Sequence, residues 1–301
     1  MKVIVLMSSF NGQKYIASQI ESILNQEEVG VHLLIRDDGS SDSTIKIIDN
    51  FAQNDSRVTY YRGDNIRPAK SFFNLVQRTP RADYYAFSDQ DDVWDPRKLI
   101  QAIAQLKEFE DNTPLLYYSN LKIVDEDLSY IRMHHKKPQD VKNKYVQLTE
   151  HYGTGCTMVF NEAARQLCIS TFPDDDIMHD TWFALSCGFL GRIVYDHNSY
   201  ISYRQHSNNV VGVATNFRMR LKRSMKRLLD SNLQPRYTCS KIVYKQLYGL
   251  LDTTDRKKIG KMAFYKDSVL NRMKLLFDKD ICCTTVFDDI KYRLLILLGI
   301  I

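Results

Sequence analysis

The chain has 301 residues, 44% hydrophobic and 26% charged, with a net charge of +5. That is ordinary globular composition, long enough for one large domain with an appendage or two modest ones, and it excludes fibrous or low-complexity classes. Six cysteines without a C-x-x-C pair or a zinc-spaced Cys/His cluster read as free thiols of a reducing cytoplasm. No stretch reaches the about 18 apolar residues of a spanning helix, and the apolar start lacks a signal-peptide cleavage pattern, so a protein neither secreted nor membrane-spanning is expected.

Residues 3–7 read as a buried strand that ends at the turn signal Asn11-Gly12. Ile16, Ile20, Ile23 and Leu24 follow at helical spacing. A second strand, 31–35, runs into Arg36-Asp37-Asp38-Gly39-Ser40-Ser41-Asp42-Ser43, and Ile45, Ile48 and Phe51 mark the next helix. Residues 58–61 form a third strand, with Phe72, Phe73 and Val76 on a third helix. The fourth strand, 84–87, gives way to Ser88-Asp89-Gln90-Asp91-Asp92-Val93-Trp94-Asp95-Pro96, with Leu99, Ile103 and Leu106 on the helix beyond. This alternation predicts an α/β fold, a parallel, doubly wound sheet flanked by helices.

Such sheets bind ligands beyond the carboxyl ends of their strands. Three polar loops fall on that rim: 8–12, 37–43 and 88–95. Neither G-x-G-x-x-G nor a P-loop occurs, so a nucleotide here has to be held by carboxylates and a metal. Three carboxylates in four residues repel one another unless a cation neutralises them, and Mg²⁺ uses one or two carboxylates plus substrate phosphates. Asp89 and Asp91 are therefore read as a metal–diphosphate site. Asp95-Pro96 reads as a helix start, with Asp95 as N-cap. An EF-hand is excluded, since Trp94 and Ile100 stand where its glycine and glutamate belong. In the 37–43 loop, Asp42 or Ser43 can cap the next helix and Gly39 can supply a positive φ, while Asp37 and Asp38 are placed to receive a base or ribose.

Residues 115–124 read as a strand, 125–144 as a variable loop and 153–160 as a strand entered through glycines. Ile177, Phe183 or Ala184, and Cys187 form a helical stripe that leaves His179 and Asp180 off it, near the helix start. Asp180 is either a solvated first-turn carboxylate or a general base. His206, in the stretch 201–212, is a candidate metal ligand or phosphate contact. Further on, Phe217, Leu221, Met225 and Leu228 share one helical face amid six basic residues, and 292–301 ends in an apolar run too short to span. Both features suit a membrane surface, or a solvated basic helix and a packed tail. Nucleic-acid binding is not expected, because the basic residues are not interleaved with a stacking platform.

Taken together, Ser8-Ser9-Phe10-Asn11-Gly12, Asp37-Asp38-Gly39-Ser40-Ser41-Asp42, Ser88–Trp94, Gly155-Cys156-Thr157-Met158 and His179-Asp180 resemble, in this order, the family-2 inverting glycosyltransferases of the GT-A fold. The resemblance spans roughly residues 2–212, with Ser8-Ser9-Phe10 standing where the family often has a Thr-Tyr pattern. It implies a Rossmann-like catalytic domain over 1–212; the region 213–301 lies outside the resemblance and is read from its composition alone as a basic, helical C-terminal region. By the same resemblance, Asp89-Gln90-Asp91 is the D-x-D that holds Mg²⁺ or Mn²⁺ on the donor diphosphate, with His206 a third candidate ligand. Ser8, Phe10, Asn11, Asp37, Asp38, Asp89 and Gln90 are then placed on the nucleotide-sugar side, Asp180 is the catalytic base, and Gly155, His179 and Trp182 lie on the acceptor side. Ser88–Trp94 with Tyr203-Arg204-Gln205-His206-Ser207-Asn208-Asn209 looks like bacterial rhamnosyltransferases, which use dTDP-L-rhamnose in cell-wall and capsule synthesis. This implies a lipid-linked or polysaccharide acceptor at the inner face of a bacterial cell membrane, with self-association left open. Competing readings are a UDP-galactose, UDP-glucose or UDP-GlcNAc donor, a nucleotidyltransferase, or a non-catalytic assembly protein on the same fold. A nucleotidyltransferase would want a glycine-rich basic loop after the first strand, where only Lys14 stands nearby.

Overall fold

The structure is a computed structural model that describes residues 1–110, 112–135, 143–150, 153–175, 177–206 and 235–299. Its described residues fall into two compact units. The first draws on 1–138, 153–187 and 191–206, the second on 139–152, 188–190 and 207–301. The expected boundary at 212 and the basic helix over 217–228 lie outside the described residues.

The first unit is built on β1 (Lys2–Ser9), β2 (Gly30–Asp37), β3 (Val58–Arg62) and β4 (Tyr84–Ser88), linked by α1 (Ile16–Leu24), α2 (Thr44–Asn54) and α3 (Pro68–Arg78). Next come β5 (Val93–Trp94), α4 (Lys98–Leu106), β6 (Leu115–Val124), β7 (Tyr130–Met133), β8 (Val159–Asn161), α5 (Glu162–Thr171), α6 (His179–Leu190) and β9 (Arg192–Arg204). Strand order is β3-β2-β1-β4-β8-β6-β9-β5, with β7 paired to β6. β1 to β4 pair in parallel, and the unbroken apolar runs of β1 and β4 are those of strands covered on both faces. Val3, Val5, Leu6 and Met7 are wholly buried. β8 runs antiparallel to both β4 and β6, and β9 returns parallel to β6.

Departures from the sequence reading are local. Residues 155–157 form a 3-10 turn, so only Val159–Asn161 of the expected 153–160 strand is extended. The 125–144 loop contains β7. The helix after the acidic loop starts at Lys98, and the Asp95 carboxylate takes the Arg97 N–H in a turn before it instead of capping it. Gly39 does have a positive φ, +80°.

Register positions the rim. Ser9 lies beside Asp37, and Met7 beside Ser88, so the loops after β1, β2 and β4 leave the sheet at one edge. Sheet order reverses at β1, which puts the loops after β1 and β4 on either side of the crevice where such folds bind ligands. Behind that edge Phe87, Phe160 and Phe183 pack ring on ring at 4.6–5.0 Å, all fully buried.

The second unit holds α7 (Pro235–Leu247), α8 (Thr253–Ala263), α9 (Val269–Leu276) and α10 (Val286–Leu298). Lys144 and Tyr145 both bond the Asp255 carboxylate at the start of α8, and Lys258 and Lys261 converge on buried Asp278. Among the described residues, no helix is long and apolar enough to cross a membrane.

Because Phe160 joins the inserted β8 to the parallel strands through these rings, Phe160→Ala is expected to cost about 3–5 kcal/mol. Urea denaturation of the variant against the parent checks it.

Candidate active site

The crevice loops are tied together before any ligand enters. The Phe10 N–H donates to Gln90 Oε1 at 2.9 Å, and Gln90 Nε2 donates back to the Phe10 carbonyl at 3.0 Å. One side-chain amide thus spans the two sides of the switch point. It can do so only beside a glycine, since a Cβ on Gly12 would lie 2.2 Å from Gln90 Oε1. The loops after β1 and β2 interlock as well. The Asn11 N–H donates to Ser40 Oγ and its Oδ1 accepts from the Ser41 N–H, while the Gly12 N–H donates to Thr44 Oγ1. Asn11 adopts φ of 49°, a left-handed conformation that asparagine tolerates better than most residues. Phe10 itself is exposed at the mouth.

The two carboxylates expected to hold base and ribose are committed to the loops. Asp37 is fully buried and accepts from Ser9 Oγ, Ser40 Oγ and the Ser40 N–H, with Arg62 Nε at 3.7 Å. Three hydrogen bonds from serines and one longer contact to arginine hold this carboxylate. In this structure Asp37 closes the turn rather than facing the crevice. Asp38 is buried against Arg36 and accepts from Ser71 Oγ at 2.9 Å, and Ser71 also meets Ser8 Oγ at 2.7 Å. Ser8 is therefore linked to Asp38 through Ser71, and burial lowers the Arg36 guanidinium below its ordinary value.

Beyond β4 the acidic loop divides. Asp91 Oδ2 lies 2.8 Å from His206 Nε2, and the His206 ring stacks on Tyr15 at 5.0 Å. Half-buried Asp89 gathers with buried Asp92 and Cys156, their ligand atoms within 4.8 Å, the one such group of three among the described residues. Asp89, Asp91 and His206 are thus neighbours on one loop system but not a single preassembled ligand set. Burial first, then Asp91 and Asp180, push the Asp89 carboxyl up to about 7. Asp92 is wholly buried, and burial with Asp91 and Asp89 carries it well above the usual carboxylate range. Cys156 is likewise raised by burial. Hard cations favour carboxylate oxygens and thiolates favour soft ones, so the buried Asp89–Asp92–Cys156 group suits Mg²⁺ or Mn²⁺ less well than the carboxylates of Asp89 and Asp91 with the His206 imidazole.

Asp180 stands at the first turn of α6. Its Oδ1 accepts from the Thr181 N–H at 2.6 Å and its Oδ2 from the Gly155 N–H at 3.3 Å. Its charge acts on Asp89, which places the expected base beside the D-x-D loop. His179 differs from the expected position off the apolar stripe: it is 4% exposed, stacked on Phe72 at 3.9 Å and edge-on to Phe87 at 4.7 Å. Neither ring nitrogen has a hydrogen-bond partner among the described residues, and burial pulls its pKa down to about 4. A Cβ on Gly155 would meet His179 Nε2 at 2.7 Å, so glycine there lets the backbone reach Asp180. Trp182, expected on the acceptor side, is fully buried instead. The indole belongs to the core because α6 is enclosed on nearly every side.

Two residues to which the motifs assign no role shape this loop. The Arg204 N–H donates to Asp92 Oδ1 and its Nε to the Asp91 carbonyl, pinning the loop to the end of β9. Lys98 is fully buried with its ammonium 3.5 Å from the Trp94 ring centre, and burial lowers it to about 7. Arg204 sits within the 203–209 stretch, but its contact with a loop 112 residues away has no sequence signal.

A mixed sheet of this order, with carboxylates at the β1–β4 crevice and a further one opposite on α6, defines a GT-A glycosyltransferase. The chain belongs to glycosyl transferase family 2, whose profile matches residues 4–168. It is 29% identical to the dTDP-rhamnosyl transferase RfbG of Shigella flexneri over 238 residues, 72% of this chain and 77% of that one. It is 27% identical to the UDP-Glc:alpha-D-GlcNAc-diphosphoundecaprenol beta-1,3-glucosyltransferase WfgD of Escherichia coli over 202 residues, 62% and 74% of the two chains. In fold it is similar to S. aureus TarS 1-349 in complex with UDP-GlcNAc, with a TM-score of 0.59, 14% identity, and 93% and 77% of the two chains covered.

Neutral, buried His179 has a testable consequence. Its folded pKa of about 4 lies below the ordinary 6.5, so the unfolded chain binds the extra proton and His179 makes stability fall as pH drops from about 6.5 to 4. Asp89, raised from 3.8 to about 7, acts oppositely, since its folded form binds more protons and stability falls as pH rises through that window. The parent minus His179→Gln difference in urea-unfolding free energy isolates the histidine. It is expected to shrink by about 3 kcal/mol between pH 7 and pH 4.

Proposed function

We propose that this glycosyltransferase is inverting and metal-dependent, and that it moves L-rhamnose from dTDP-L-rhamnose onto a hydroxyl of a lipid-linked or polysaccharide acceptor. The observation that carries the mechanism is Asp180, held by the Gly155 and Thr181 N–H groups at the same rim as Asp89. The similarity to RfbG supports the rhamnosyl donor. The similarity to WfgD favours a second reading, the same chemistry with a UDP-hexose.

The residues fit a divalent cation, because Asp89 gathers with other carboxylates, and burial first, then the charges of Asp91 and Asp180, raise its carboxyl. Asp89 and Asp91 would hold it, with His206 beside Asp91. When bound, such a cation neutralises charge on the departing nucleoside diphosphate. The Gln90–Phe10 clamp keeps the crevice loops in place for the donor, so less ordering is left to do at binding. Asp180 accepts the proton of the acceptor hydroxyl. That oxygen forms its bond to the anomeric carbon as the bond to the diphosphate oxygen breaks, the electron pair leaves with the nucleotide, and the anomeric configuration inverts. The backbone donors of Gly155 and Thr181 fix the Asp180 oxygens at the head of α6.

An acceptor of this kind places the enzyme at the inner face of a bacterial cell membrane, with catalysis assigned to residues 1–212 and attachment to 213–301. Asp180→Asn is expected to lower single-turnover transfer by about 10²–10⁴-fold with donor affinity within a few-fold of the parent. Normal turnover in that variant contradicts the assignment. Running the parent with dTDP-L-rhamnose, UDP-glucose and UDP-GlcNAc separates the readings, since transfer from a UDP-sugar alone selects the second.

A further inference from the structure

Helices α9 and α10 of the second unit are closed by their own caps, Ser268 and Thr285 accepting the Asn271 and Asp288 N–H groups, with Gly299 ending α10 in the left-handed region. They run antiparallel: Arg272 on α9 reaches the Leu297 carbonyl, and Arg293 on α10 reaches back to those of Leu275 and Leu276. The side chains turned inward are few, chiefly Leu275, Tyr292 and Ile296.

The outer face is unusual for a water-facing surface. On α9 Val269, Leu270, Met273 and Phe277 are exposed, Phe277 at 72%. On α10 Val286, Phe287, Ile290, Leu294, Leu297 and Leu298 are exposed, Phe287 at 78%. At 3.6 residues per turn each set occupies about one third of its helix. Each stripe begins just past the side turned to the other helix, and in an antiparallel pair that puts both stripes on one side. Exposed Lys274 and Lys291 occupy the next positions round and so border the joint face on its two outer edges. Asp288 on α10 lies further round beyond Lys291, and Asp289 on the opposite flank is paired with Arg293 at 3.3 Å.

We infer that this α9–α10 face is a docking surface for an anionic lipid bilayer. A contiguous patch of this size marks an interaction site. Protein–protein interfaces carry about one hydrogen bond per 100–200 Å² and are depleted in Lys relative to the rest of the surface. Here the apolar stripes carry only aliphatic, Met and Phe side chains, with nothing to hydrogen-bond. Apolar centre and lysine border is the arrangement of helices that lie in the plane of a membrane, with lysine stems reaching to anionic headgroups. The inference rests on the second unit alone and stands whatever the donor sugar.

The test is co-sedimentation of the 301-residue chain with vesicles of phosphatidylcholine alone or mixed with phosphatidylglycerol. The mixed vesicles are expected to bind, and pure phosphatidylcholine about tenfold less. Phe277→Ser with Phe287→Ser is expected to weaken binding by about tenfold or more, with circular dichroism and donor binding unchanged because both rings are exposed. Lys274→Glu with Lys291→Glu should remove the preference for anionic lipid. Failure of the parent to bind, equal binding by the serine variant, or a dimer in light scattering that the serine variant dissociates would each overturn it.

Discussion

Mutual repulsion among Asp89, Asp91, Asp92 and Asp180 is the constraint on which the catalytic unit depends. Like charges at the end of a buried strand are costly, and burial first, then that repulsion, raises the Asp89 and Asp92 carboxyls. The chain bears it by aiming fixed dipoles at the oxygens: the Arg204 N–H at Asp92, those of Gly155 and Thr181 at Asp180, and the His206 ring at Asp91. None of these donors belongs to the β4 loop itself. They come from β9 and its end, the 155–157 turn and α6, which explains why an irregular second half of the sheet is built around a regular first half.

Rigidity around that cluster comes from polar interlocks rather than from apolar packing alone. The rim loops exchange hydrogen bonds through Asn11, Ser40, Thr44 and Gln90, and small residues are required where backbone and side chain meet. Buried carboxylates at Asp37 and Asp38 belong to the same framework. Both lie beside the crevice and both are spent on holding it, so a residue matching a nucleotide-binding motif can serve the ligand by shaping the loop.

Much of this was legible in the sequence for physical reasons. The strands of the parallel half are short, mostly apolar runs, and the alternating helices carry their spacing openly, so the elements and rim loops could be placed. The Asp89–Asp91 loop and Asp180 stood out because clustered charge at strand and helix ends needs a reason. Long-range partnership was not legible. β9 reads as a half-polar stretch, Arg-Ile-Val-Tyr-Asp-His-Asn-Ser-Tyr, and becomes a strand only because β6 pairs with it. His179 looked like a surface residue by helical spacing, yet Phe72 and Phe87 enclose it. Trp182, placed on the acceptor side by the family resemblance, is core.

The central claim is that the rim carboxylates Asp89 and Asp91, rather than the inner Asp89–Asp92–Cys156 group, take a divalent cation together with the donor diphosphate. Anomalous scattering at the manganese edge from crystals grown with Mn²⁺ and dTDP reads this directly. The account predicts a manganese peak bonded to an Asp91 or Asp89 oxygen and to the diphosphate. A peak on Cys156 and Asp92, or a bound nucleotide with no metal beside it, would contradict it.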